Sequence, residues 1–104
     1  MTEIATKHTP KPWAINPMVV QIDAMNGDGY IVPVCQMLWP TDERSEAETY
    51  ANARLIAAAP DLLDALKDIV ASYESYRAAE GDDDTSDSIE LAEAAIRLAE
   101  TGAR

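Results

Sequence analysis

Apolar residues follow two different periods along the chain, and the change falls near residue 40. From Met18 to Asp23 and from Tyr30 to Trp39, β-branched, aromatic and other apolar residues come in short runs, as strands do. Asn26-Gly27-Asp28-Gly29 between them supplies residues that tolerate positive φ, so the two runs read as an antiparallel hairpin. Under a period of two, Ile31, Cys35, Met37 and Trp39 share one face of the second run and Val32, Val34 and Leu38 the other. Such a strand is expected to be covered on both sides. Pro33 cannot donate a ladder hydrogen bond and belongs at an edge or a bulge. Residues 13–16 leave room for a third strand.

Beyond Pro40 the spacing becomes helical. Ser45 and Glu48 have the separation of a capping box, with Thr41 as the competing N-cap. Ala47, Tyr50, Ala51, Leu55 and Ala58 then fall on one face. Pro60 disfavours helical geometry at Ala59 and suits the first turn of a new helix, which predicts a break at Ala59. In the helix after the break, Asp61 and Asp64 complement the dipole, and Leu62, Leu66, Ile69 or Val70, and Tyr73 form the buried stripe. Leu55, Leu62, Leu66 and Trp39 are therefore expected in the core. Residues 80–87 contain no apolar side chain and read as a solvated loop. A last helix follows, capped by Asp87 and Glu90 and stopped by Gly102, with apolar positions over more than half its circumference.

These elements predict an α+β fold, a short antiparallel hairpin with an optional third strand packed on two or three α-helices, the first two separated at the proline. Residues 1–12, polar and carrying Pro10 and Pro12, read as a flexible arm. Residues 13–104 read as one domain, β-rich over 13–40 and helical over 41–104.

Charge narrows the choice of partners. The formal net charge is −11, and residues 41–104 hold sixteen acidic and six basic side chains, or −10. That field repels nucleic acid and anionic membranes and favours a basic protein surface. The lone Cys35 cannot form an intramolecular disulfide, the chain opens without a signal-peptide pattern, and its apolar runs fall short of the ~18 residues of a spanning helix. A cytoplasmic protein is expected.

Candidate chemistry is sparse. His8 and Cys35 are the only His and Cys; they are too few for a tetrahedral zinc site, and a free cysteine in an apolar strand acts as a small hydrophobe. Asp82, Asp83, Asp84 and Asp87 lack the alternating ligands and glycine of a calcium loop; they are candidate partner-binding residues or a solvated charge run. Asn52 and Arg54 are a candidate polar site. Arg54 suits a carboxylate or phosphate through its planar fork, or an internal pair with Asp61, Asp64 or an upstream glutamate. No catalytic set, metal site or cofactor site is expected.

Thr9-Pro10-Lys11-Pro12-Trp13 and the run from Ala51 to Leu66, Ala-Asn-Ala-Arg-Leu-Ile-Ala-Ala-Ala-Pro-Asp-Leu-Leu-Asp-Ala-Leu, resemble a family of small phage and prophage proteins with a TPxPW opening and an ANARLIAAAPDLLxAL motif. The resemblance covers roughly residues 8–72, and Lys11 stands where relatives carry glycine. It implies expression in the cytoplasm of a bacterial host and an accessory role. With the charge, it suggests a non-catalytic protein that binds a host or phage protein of basic surface, such as a host defence complex. The alternatives are an oligomeric protein binding a small ligand such as a nucleotide signal, and a purely structural or assembly role. A homodimer is expected, because the two-faced strand and the widely apolar last helix exceed the needs of one small core.

Overall fold

The computed structural model describes residues 7–25, 27–80 and 87–102. Its elements are β1 (Trp13–Asn16), β2 (Gln21–Met25), β3 (Ile31–Gln36), α1 (Glu46–Glu80) and α2 (Asp87–Thr101). The fold is α+β, a three-stranded antiparallel sheet with two helices. The chain divides into two units, Met1–Asp61 and Leu62–Arg104.

In the first unit the strands lie in the order β1-β2-β3. The register pairs Trp13 with Ala24 and Ile15 with Ile22 on one side of β2, and Ile22 with Cys35 and Ala24 with Val32 on the other. Residues opposite each other share a face, so these side chains form the inner surface; Ile22 and Ala24 at its centre are buried. Pro33 lies on edge strand β3 beside a register shift at Ile22/Asp23, where no ladder bond is lost. That shift corrects the expected facing of β3. One extra residue reverses the alternation, so Val32 and Cys35 share the inner face and Ile31 is exposed. The apolar character of both faces reflects the bulge, not a strand covered twice.

Ser45 caps α1 by accepting the Glu48 backbone N–H at 3.1 Å, while its hydroxyl meets Glu48 Oε1 at 3.5 Å. Thr41, the competing cap, instead accepts the Glu43 N–H in the preceding turn. Within the first unit α1 buries Thr49, Ala53 and Pro60, which share one face at about 100° per residue. Leu55 lies on the opposite side and is exposed, as are Leu62 and Trp39; only Leu66 of the four expected core residues is even half-buried. The inward side of the helix carries small side chains, whose burial needs less room than that of leucine.

The expected break at Ala59 is also corrected, since Pro60 stands inside one continuous helix. An internal proline removes one hydrogen bond and costs about 3 kcal/mol. Three preceding alanines favour the helix, and the buried ring gains contact area that offsets part of this cost. Pro60→Ala is therefore expected to stabilise the protein by up to about 2 kcal/mol in urea unfolding. A loss above about 1 kcal/mol would show that the ring's packing outweighs the missing bond.

The second unit is a helical hairpin. Val70 and Ile89 are its buried apolar side chains, with Leu66, Tyr73 and Ile96 half-buried around them. Gly102 ends α2 at φ 75°, donating its N–H to Leu98 O at 2.9 Å; this left-handed stop matches the sequence expectation. Lys67 Nζ donates to Glu100 Oε2 at 2.9 Å. That hydrogen bond, reinforced by the negative charge of Glu100 and of Asp64, raises the Lys67 ammonium above its ordinary 10.5. A raised lysine contributes its stabilisation at all pH values below the ordinary one and loses it as pH climbs through the raised value. Thermal stability of wild type should thus fall more steeply than that of Lys67→Met above the ordinary lysine range, and equally below it. Parallel profiles would show that the pair contributes nothing.

Candidate functional site

The strongest concentration of exposed apolar surface in the first unit lies where β3 hands over to α1. β3 ends at Gln36, so residues 37–40 have left the ladder before Pro40 redirects the chain. Met37 is still tied in, donating its N–H to Val20 O at 3.0 Å. Leu38 and Trp39 point into solvent, Trp39 with 80% of its surface exposed. Across from them the β1–β2 turn presents Met18 and Val19, both exposed; Asn16 Oδ1 holds that turn by accepting the Met18 N–H at 3.1 Å. Val19, Leu38, Trp39 and Tyr50 line a cleft of about 210 Å³, with Gln36, Glu46 and Thr49 as its polar members.

Arg44 makes this apolar display rigid. Its Nη2 donates to Leu38 O at 3.0 Å and Trp39 O at 2.6 Å, and its Nε donates to Thr49 Oγ1 at 3.1 Å. Thr49, almost fully buried, donates its hydroxyl to Ser45 O at 3.0 Å. Backbone bonds between Thr41 and Arg44 in both directions close the intervening turn. One guanidinium thus fixes the carbonyls on either side of the exposed indole's attachment to the cap of α1, a geometry the planar fork suits and an ammonium does not. Val20, on the cleft wall, sits at φ 46°. A β-branched residue in the left-handed region is strained, and such strain persists only where neighbouring contacts hold it.

Sequence reasoning did not find this site. The period-two pattern runs through Trp39 and places it in the core, and Arg44 stands out in the sequence only as the one cation between Lys11 and Arg54. Of the expected site residues, Asp82, Asp83 and Asp84 lie outside the described residues; Asp87 is exposed in the first turn of α2. Asn52 and Arg54 are exposed on α1. Asp61, one of the partners considered for Arg54, lies instead 3.5 Å from Lys11 Nζ.

His8 and Cys35 are held in different settings. The His8 ring meets Trp13 edge-on at 6.1 Å, and Trp13 Nε1 donates to Thr9 O at 3.0 Å. Cys35 is half-buried on β3. A second cleft, of about 510 Å³, brings Lys7, His8 and Lys11 beside Ala24, Met25 and Val32. Among the described residues no group of three His, Cys, Asp or Glu is placed to hold a metal ion, and no helix is long and apolar enough to cross a membrane.

No curated protein and no solved structure matches the chain. A family model described as Salmonella phage P22 protein Y8K6 matches residues 1–104. The match spans the full length and supports the expectation of a small phage protein: the chain belongs to the Salmonella phage P22 protein Y8K6 family.

Proposed function

We propose that this phage accessory protein acts by binding another protein, without turnover, through the cleft at Trp39. The observation that carries the reading is a tryptophan exposed over four-fifths of its surface on a loop that Arg44 pins to α1. A rigid, exposed aromatic beside an apolar cleft is the anatomy of an interface hot spot, because little conformational entropy remains to be lost on docking. The net charge of −11 selects a partner of basic surface and accelerates its approach. Components of a host defence complex that handle nucleic acid carry such surfaces, which makes them the partner class of choice. Asp82, Asp83, Asp84 and Asp87 contribute to the field, while Trp39 supplies the contact.

The small-ligand reading rests on the cleft beside Lys7, His8 and Lys11. The Asp61 carboxylate next to Lys11 offsets positive charge there, which disfavours an anionic ligand. Expression of tagged wild type and Trp39→Ala in phage-infected host cells, with cross-linking and identification of captured proteins, separates the readings. A basic protein captured by wild type and lost with Trp39→Ala is expected. Identical captures by both would overturn the role of this cleft.

A further inference from the structure

The two sides of the helical hairpin in the second unit differ sharply in charge. On one side Lys67, Glu74, Glu93, Arg97 and Glu100 border a common groove with Val70 and Ile96. Advancing about 100° per residue from that groove places Leu62, Leu66, Ile69, Tyr73 and Tyr76 on the other flank of α1, and Leu91, Ala95 and Leu98 on the other flank of α2. Within 62–76 and 88–99 no Asp, Glu, Lys or Arg falls on this flank; Glu80 follows it at the very end of α1. Leu62, Ile69, Tyr76, Leu91 and Leu98 are all exposed, and the outermost ones repeat every seven residues within each helix. That repeat is the spacing by which one helix presents a continuous seam to another.

We infer that this apolar flank packs against the same flank of a second copy, so that two hairpins form a four-helix interface. The inference is independent of the Trp39 cleft, which lies in the first unit. Three observations favour a second copy over another partner. Among the described residues the hairpin buries only Val70 and Ile89 as apolar side chains, too little for a two-helix unit, and face-to-face pairing completes a bundle core. The five exposed side chains offer on the order of 500 Å² per copy, so a pair buries on the order of 1,000 Å², the lower bound of a specific interface. The charges are also placed to suit it. A basic partner would find carboxylates on the groove side, Glu74, Glu93 and Glu100, and none between Leu62 and Tyr76 on this flank, whereas an identical apolar flank is matched by symmetry.

Light scattering and sedimentation of the full chain from about 1 to 200 μM test the inference. The expected mass approaches twice 11.3 kDa, and Ile69→Glu or Leu91→Glu should weaken association at least about 100-fold, since each places a charge in the seam. Glu93→Gln, on the groove side, should leave it unchanged. Where a variant loses helical circular dichroism, hydrogen exchange of wild type decides. Amides within 62–76 and 88–99 should gain protection as concentration rises. A monomer mass at the highest concentration, a dimer that survives both substitutions in folded protein, or protection gained elsewhere would each overturn the inference. Trp39→Ala is expected to dimerise as wild type does, so failure here and failure of the Trp39 cleft give different results.

Discussion

Replacing Ile22 by alanine should cost about 2–5 kcal/mol of folding stability, the largest loss expected from any single truncation in this chain. Among the described residues Ile22 is the one large side chain with no solvent exposure. It stands at the centre of β2, between Ile15 on β1 and Cys35 on β3, so its loss leaves a cavity that three strands must collapse to fill. The other buried apolar side chains described in the first unit, Ala24, Ala53 and Pro60, are small or rigid and cannot extend into the space. Small domains are stable by about 5–15 kcal/mol in total, so the substitution removes a large share of the reserve. Urea unfolding should show the midpoint fall with little change in slope, and Ile22→Val should cost about 0.5–1.5 kcal/mol on the same site. A loss below about 1 kcal/mol for Ile22→Ala would mean that the sheet's inner face is not the main core.

How far this arrangement was legible in the sequence depends on which physical signal was read. The turn glycine, the Ser45 cap and the Gly102 stop are legible in the sequence. Gly29 takes the positive φ needed between β2 and β3, Ser45 caps α1, and Gly102 ends α2. Each depends on local backbone geometry that a few residues determine by themselves. Pro33 was correctly confined to an edge or bulge, but the bulge moved every later side chain of β3 by one position, and no local residue pattern announced the shift.

The faces of α1 were misread for a related reason. The largest apolar side chains were assumed to point inward, whereas the helix buries Thr49, Ala53 and Pro60 and leaves Leu55, Leu62 and Ile69 outside. Size favours burial only where the neighbouring layer leaves room for it. Leu62 and Ile69 are thereby left exposed on the flank proposed above to meet a second copy. The candidate site was hidden for a third reason. Its anchor depends on Arg44 reaching back five and six residues to main-chain carbonyls, and a bond to a carbonyl leaves no signature in the identity of the residue that accepts it.

Trp39→Ala should separate stability from binding in the opposite sense to Ile22→Ala. With 80% of its surface already in water, the indole contributes little to folding, and its removal should change unfolding free energy by no more than about 0.5 kcal/mol. Against the partner that the protein captures, the same change should cost at least about 2 kcal/mol, a roughly 30-fold rise in Kd. Arg44→Lys tests why. It keeps the positive charge but cannot hold both the Leu38 and Trp39 carbonyls with one planar group, so the loop gains freedom that docking must remove. Its binding loss should be smaller than that of Trp39→Ala and should appear mainly in the dissociation rate. Raising salt should do the reverse, slowing association as screening shortens the field to ~8 Å while leaving dissociation nearly unchanged. An affinity indifferent to Trp39 but sensitive to salt would place the contact on the acidic helices alone; one indifferent to both would remove this cleft and the charge together from the mechanism.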